Sequence, residues 1–311
     1  MQSDDQTMTV TATRLQTLFP YLALAGAALF WSGNFVVGRA LRGDIPPISL
    51  NFWRWTVALA LLLPLSYPQL RQYRAQLLRE WKLIGALGLT GMAVFQTCVY
   101  TALQTTTAVN ALLFLALTPV AIVFGSWLVF RDTLTVRQIL GVGVSLLGAV
   151  ILIARGSLAT LLGLQLNPGD VWMLVAVVTW AIYSILVKRR PADLPQLAML
   201  TGSVIVGVLL LLPVYTLRAL QGAVLSFNLP NLLGILYVAL FASILAFLAW
   251  NNGVARIGPN RAGLFIHLMP VFGALLSFLF LGEGIAPFHI VGALFVFSGI
   301  GLMSRWPARG G

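Results

Sequence analysis

The sequence predicts an all-α integral membrane protein whose ten transmembrane helices form a 5+5 inverted repeat. Its composition, its ten long apolar runs and the similarity between its two halves support this prediction. Of the 311 residues, 59 % are hydrophobic and 9 % are charged, whereas soluble domains carry roughly 25 % charged residues. Because a soluble globule could not bury so much apolar surface, the lipid bilayer is the solvent for most of the chain. This composition excludes a soluble enzyme, a disordered protein and a DNA-binding domain.

Ten apolar runs are long enough to cross a bilayer as helices, which requires about 20 residues each. Strands of a membrane barrel would instead alternate polar and apolar residues over segments of about ten. A polar tail at residues 1–17 precedes the first run, which is longer than the 7–15 apolar residues of a signal peptide; we therefore expect a first helix rather than a cleaved leader. The runs are 19–41, 46–67, 82–103, 106–129, 134–154, 169–188, 194–217, 231–254, 260–281 and 286–304.

The basic residues indicate the orientation of these helices. With ten spans both termini lie on one side, which carries fourteen of the 19 Lys and Arg residues, while the other side carries four and Arg54 lies within a span. Basic residues favour the cytoplasmic side, so we expect cytoplasmic termini in a multi-pass protein of a bacterial-type inner (plasma) membrane. The fourteen are Arg14, Arg71, Arg74, Arg79, Lys82, Arg131, Arg137, Lys188, Arg189, Arg190, Arg256, Arg261, Arg305 and Arg309, and the four are Arg39, Arg42, Arg155 and Arg218.

The two halves of the chain resemble each other at a nearly constant offset. Ala111, Phe114, Leu117, Pro119 and Val120 recur 151 residues later as Ala262, Phe265, Leu268, Pro270 and Val271. We therefore expect a first repeat at 18–155 and a second at 168–305 within one transmembrane domain. Five spans are an odd number, so the second repeat is inverted relative to the first. Inverted repeats around a midplane site are typical of transporters; a duplication that serves only stability is the alternative.

A motif also recurs in both halves: a proline-containing helix, an acidic loop and a glycine-rich helix. The loops are Arg131-Asp132 and Gly282-Glu283-Gly284. In this pattern the chain resembles, over nearly its whole length, the EamA-type branch of the drug/metabolite transporter superfamily, although Arg131-Asp132 replaces the usual Gly-Glu. Trp180 in the sixth helix adds a resemblance to exporters of aromatic amino acids. The resemblance thus implies export of amino acids or related metabolites.

Aromatic and polar side chains in mid-span are candidates for the transport path, because burying polar groups in lipid is costly. Trp31 and Trp180 lie at matching positions of the two repeats, away from the membrane interfaces. Four helices each present an aromatic stripe with one or two uncharged polar groups, which predicts a central aromatic cavity; simple helix packing is the alternative. The predicted substrate-binding residues are Trp31, Asn34, Phe35, Gln96, Tyr100, Trp180, Tyr183, Ser184, Trp250, Asn251 and His267.

Several of the candidates have alternative interpretations. His267 could hydrogen-bond the substrate, carry a proton, or bond to a backbone carbonyl freed by Pro270. Pro119 and Pro270 interrupt matching helices, either as gates or as ordinary kinks. Arg54 either extends outward to the membrane surface or attracts a substrate carboxylate.

The positions of the acidic residues indicate the charge of the substrate. All eight lie in the tail, the loops or the span ends, which favours neutral, zwitterionic or weakly anionic substrates over cations. The sequence therefore predicts a transporter, with no cofactor, metal or nucleic-acid partner, that exports small aromatic metabolites through the bilayer by alternating access. A broad drug exporter of the same fold is the alternative. An intramembrane enzyme is disfavoured, since the sequence has no HExxH or GxSxG motif.

Small residues at Gly141, Ser145, Ala149, Gly292 and Gly299 favour close helix packing. We expect this packing to lie within a monomer, with a homodimer through the same residues as the alternative.

Overall fold

In a computed structural model, the structure describes residues 2–41, 43–222, 225–226, 228–281 and 284–304. Arg42, the Gly282-Glu283 part of the second acidic loop, Arg305 and Arg309 lie outside these ranges. All regular structure within them is helical. The ten long helices, α1 to α10 in chain order, are Gln2–Ala40, Pro47–Gln72, Trp81–Thr105, Val109–Phe130, Val136–Ile153, Pro168–Lys188, Gln196–Leu220, Leu229–Ile257, Pro259–Phe280 and Pro287–Ser304. Two short helices, Arg74–Arg79 and Leu158–Leu162, lie between them.

The ten-helix prediction is confirmed. Among the described residues, nine helices are long and apolar enough to cross a membrane, and a tenth apolar helix covers Pro287–Met303. That tenth helix has 17 residues, which is at the lower limit of about 17–25 for a span. The polar segment before the first span belongs to the same helix as the span. Helix α1 begins at Gln2, and its membrane-spanning part begins at Thr17.

Arg131 explains why glycine is usual in the first acidic loop. This residue ends α4 with a φ of +58° and caps it by donating its N–H to the Trp127 carbonyl. Glycine adopts that left-handed conformation without steric cost, whereas other residues do not. The next residue, Asp132, forms a 2.8 Å salt bridge with Lys188 at the end of α6. The departure from Gly-Glu therefore leaves the turn itself intact.

Helices α5 and α10 are packed backbone to backbone through glycines. A Cβ atom on Gly148 would lie 2.7 Å from the carbonyl oxygen of Gly292, and one on Gly141 would lie 2.9 Å from that of Gly299. Gly292 and Gly299 are themselves the repeat equivalents of Gly141 and Gly148, so the pairing is the one expected across a two-fold axis between inverted repeats. The small-residue faces are thus occupied inside one chain, which removes them as a homodimer interface.

The third helix of each repeat contains a π-helical segment that the sequence did not predict. These segments, Gly88–Val94 and Val238–Leu245, begin 150 residues apart. Because the Ala246 N–H bonds to the Phe241 carbonyl five residues back, the Ala242 carbonyl is left open to side-chain donors. In α3, Asn51 of α2 donates its amide to the Met92 and Ala93 carbonyls at 3.0 and 3.3 Å. Such segments are frequent at functional sites.

Replacing Asn51 with alanine is expected to lower the free energy of unfolding by about 1–3 kcal/mol, because two buried carbonyls would lose their donor. The measurement is thermal unfolding of the purified protein in detergent. Thr216→Ala is the matched control, since its exposed hydroxyl donates only to the Leu212 carbonyl of its own helix. Equal stability of the two variants would contradict this role for Asn51.

Candidate functional site

A small cavity lies between helices of both repeats. Helices α1, α3 and α4 of the first repeat form part of its wall, and α6 and α9 of the second form the rest. The lining residues are Trp31, Asn34, Phe35, Phe95, Gln96, Leu115, Trp180, Ile266 and Met269.

Three aromatic rings form one side of the cavity. The Trp31 and Trp180 rings meet edge to face with centroids 5.1 Å apart, and Phe95 lies 4.6 Å from Trp180. The Trp31 indole donates a 3.0 Å hydrogen bond to the Ala242 carbonyl in the π-helical segment of α8. This bond fixes the orientation of the ring, so the two repeat-related tryptophans present a preformed aromatic surface. Phe95 was missing from the predicted residues, although it directly precedes Gln96.

Other predicted residues lie behind this surface and do not border the cavity. Trp250 packs against Trp31 and Trp180 with centroid distances of 5.4 and 5.5 Å, and Tyr183 stacks on Trp180 at 5.1 Å. The Tyr183 hydroxyl donates to the Asn251 side-chain oxygen at 3.0 Å. Ser184 donates to the Trp180 carbonyl of its own helix at 2.9 Å. These residues support the aromatic wall on the side that is predicted to be cytoplasmic.

Two amide side chains supply the polar part of the cavity wall. Gln96 is buried, and its Nε2 atom has no hydrogen-bond partner in the described part of the chain. Asn34 accepts a 3.0 Å hydrogen bond from the Tyr100 hydroxyl through its side-chain oxygen. Tyr100 itself does not line the cavity. An unsatisfied buried donor costs free energy, so the Gln96 amide is suited to a ligand that offers an oxygen acceptor.

Arg54 extends this polar network and does not reach the membrane surface. Its side chain is 1 % exposed. It donates to the Ser243 hydroxyl at 2.9 Å, to the Tyr100 hydroxyl at 2.9 Å and to the Ala242 carbonyl at 3.2 Å. The first interpretation of Arg54, in which its side chain extends outward to the membrane surface, is therefore wrong. The signal available in the sequence was that Arg54 is an arginine placed inside a span.

His267 lies next to a smaller cavity and not to the larger one. Its Nε2 atom is 2.9 Å from the Ala116 carbonyl oxygen, and its Nδ1 atom is 2.7 Å from the Ser145 hydroxyl. Ala116 is 151 residues away and is the repeat equivalent of His267. The sequence allowed a contact between His267 and a backbone carbonyl freed by Pro270. The structure shows a carbonyl contact, but this carbonyl belongs to α4 and not to the helix that contains Pro270. The smaller cavity shares Leu115, Ile266 and Met269 with the larger one.

Both predicted proline sites coincide with interruptions of helix geometry. The α-helical pattern of α4 is broken at Leu117 and resumes at Thr118, directly before Pro119. In α9 a 3-10 segment, Leu264–His267, precedes the α-helix that contains Pro270. Because proline cannot donate to the preceding turn, these breaks are expected where they lie. The gating role of the two prolines remains a prediction.

The fold and the site together define a polytopic membrane transporter with a cavity between two repeats. The model of the EamA-like transporter family matches residues 18–154 and again residues 167–305. The chain belongs to the EamA-like transporter family. Within the described residues, no group of three or more His, Cys, Asp or Glu side chains could hold a metal ion.

Relatives and a solved structure agree with this membership. The uncharacterized transporter YyaM of Bacillus subtilis (strain 168) is 27 % identical over 280 residues, which cover 90 % of this chain and 92 % of the relative. A protein of Streptantibioticus cattleyicolor, named a probable terminal-alkyne amino-acid exporter, is 25 % identical over 285 residues, covering 91 % and 92 %. One crystal structure matches with a TM-score of 0.71 at 20 % identity, covering 92 % of this chain and 96 % of the other; it shows the same fold.

Proposed function

We propose that this transporter exports small aromatic or hydrophobic metabolites, aromatic amino acids foremost, by alternating access through the cavity at Trp31 and Trp180. The observation that carries the proposal is the composition of the cavity wall. Aromatic rings of both repeats form its apolar part, and two uncharged amides form its polar part. A flat apolar ring with one polar end fits such a wall. The amino-acid exporter among the relatives supports the same substrate class.

The position of the cavity between the repeats supports alternating access. Each wall of the cavity belongs to a different repeat, so rocking of one repeat against the other would change which side of the membrane the cavity faces. We further propose a monomer in the plasma membrane of a prokaryote with both termini in the cytoplasm. The side-chain charges near the cavity favour zwitterions over cations, since no acidic residue is among those that line it.

The proposal is tested by counterflow in proteoliposomes. Vesicles that contain the purified protein and unlabelled phenylalanine are diluted into buffer with labelled phenylalanine or tryptophan, with and without a pH gradient. We expect saturable accumulation of label, with lysine and alanine as poor competitors. Accumulation no greater than in protein-free vesicles for every aromatic amino acid would overturn the proposed substrate class.

A further inference from the structure

Within the described part of the chain, the buried guanidinium of Arg54 has no carboxylate to balance its charge. Its three contacts are a serine hydroxyl, a tyrosine hydroxyl and a backbone carbonyl. No acidic side chain of the described residues lies within salt-bridge distance of it. Two of the five guanidinium N–H groups remain after these bonds. Burying a charged side chain inside the membrane costs free energy. A charged residue in that position therefore indicates a functional site, in which a ligand can supply the missing negative charge.

The charge of Arg54 is connected to the cavity through Tyr100 and Asn34. The Tyr100 hydroxyl accepts from the guanidinium at 2.9 Å and donates to Asn34 at 3.0 Å, and Asn34 lines the cavity. Gly38 makes this arrangement fit, because a Cβ atom there would lie 3.3 Å from the Tyr100 ring. The ring can therefore lie against α1 one turn beyond Asn34. We call Arg54, Tyr100 and Asn34 the arginine network.

A hydrogen-bond donor without a partner lies in the cavity wall beside the arginine network. Among the described residues, the buried Gln96 Nε2 atom, one turn before Tyr100 on α3, has no partner. Asn34 already uses its oxygen as an acceptor for Tyr100, which leaves its amide nitrogen as a further donor. Donors together with an unbalanced positive charge favour an anionic oxygen ligand.

We infer that the arginine network recognises the carboxylate of the substrate, so that this transporter selects aromatic carboxylates and rejects the corresponding amines. The inference rests on the proposed function and narrows its substrate class. The aromatic ring would lie against Trp31 and Trp180, and the carboxylate would lie at Asn34 and Gln96. Arg54 acts through Tyr100 as a specificity-determining residue. The ammonium group of an amino acid contributes little, so deaminated acids are also substrates.

The test uses four compounds that share one phenyl ring: phenylalanine, 3-phenylpropionate, phenethylamine and 3-phenylpropanol. Competition against labelled phenylalanine and the ligand-dependent thermal shift of the purified protein are both measured. We expect phenylalanine and 3-phenylpropionate to bind within about threefold of each other, and phenethylamine to bind at least tenfold more weakly. Arg54→Met should remove this tenfold preference for the acid over the amine, and Arg54→Lys should retain part of it.

Tyr100→Phe provides a second variant that keeps the ring and removes the hydroxyl, in case Arg54→Met does not fold. It is expected to reduce the preference for the acid in the same direction. Tyr237→Phe is the matched control, since its hydroxyl donates to the Phe30 carbonyl at 3.2 Å, outside the network. Equal binding of phenethylamine and 3-phenylpropionate to the unmodified protein would overturn the inference, as would an equal loss of both in Tyr100→Phe. Absent phenylalanine counterflow with an intact thermal shift by 3-phenylpropionate would overturn only the proposed function.

Discussion

Replacing Trp180 with alanine is expected to reduce aromatic amino-acid counterflow more than tenfold. The Trp180 ring lines the cavity and contacts the Trp31 ring of the other repeat, so its removal takes away the surface against which a substrate ring would lie. Each aromatic pair contributes about 0.5–1.5 kcal/mol beyond its buried area. Loss of one or two such contacts with the substrate corresponds to roughly tenfold or more in affinity. Initial rates over a range of substrate concentrations measure the effect.

A second variant is needed because Trp180 also packs against Tyr183, Phe247 and Trp250. Truncating a buried tryptophan to alanine costs about 3–5 kcal/mol of stability, which alone could reduce the amount of folded protein. Trp180→Phe keeps a ring and is expected to fold and to transport at an intermediate rate. The control Trp172→Ala removes a tryptophan two turns earlier on the same helix, where the side chain is 46 % exposed. Unchanged counterflow in Trp180→Ala, at equal amounts of folded protein, would remove Trp180 from the site.

The pairing of Trp31 with Trp180 shows what the sequence could predict. Both tryptophans lie in mid-span at matching repeat positions, where the membrane interface cannot explain them, and the structure brings their rings together. Helical periodicity also placed Asn34 and Phe35 on the same face as Trp31, and all three line the cavity. The lengths and hydropathy of the apolar runs were sufficient to predict the ten helices, because a membrane-spanning helix depends only on its local sequence and on the thickness of the bilayer.

The depth of a residue behind the cavity wall could not be predicted. Periodicity identifies the face of a helix that turns inward, but not how far that helix lies from the axis of the bundle. Trp250 and Asn251 are on an inward face of α8, yet they pack behind the rings of Trp31 and Trp180. The direction of the Arg54 side chain depends on the open carbonyl of Ala242, which exists because α8 contains a π-helical segment. No residue pattern in the sequence marks that segment.

The glycine contact between α5 and α10 leads to the second large expected effect. Gly148→Ala is expected to lower the free energy of unfolding by about 1–3 kcal/mol, the usual cost of overpacking. The added Cβ atom would lie 2.7 Å from the Gly292 carbonyl oxygen and 2.7 Å from the Val296 amide nitrogen. Both are backbone atoms, so the two helices would have to separate. Thermal unfolding in detergent gives the size of the loss.

Gly143→Ala on the same helix separates this packing effect from helix propensity. An added Cβ atom at Gly143 would meet nothing within 4 Å, and alanine is favoured over glycine in a helix by about 0.8–1 kcal/mol. We therefore expect Gly143→Ala to be neutral or stabilising while Gly148→Ala destabilises, although the chemical change is the same. Gly299→Ala, at the repeat equivalent of Gly148, should destabilise as well, because its Cβ atom would collide with the Gly141 carbonyl and with Ser145. A loss of stability at Gly143 as large as that at Gly148 would show that the backbone contact between α5 and α10 does not determine the choice of glycine.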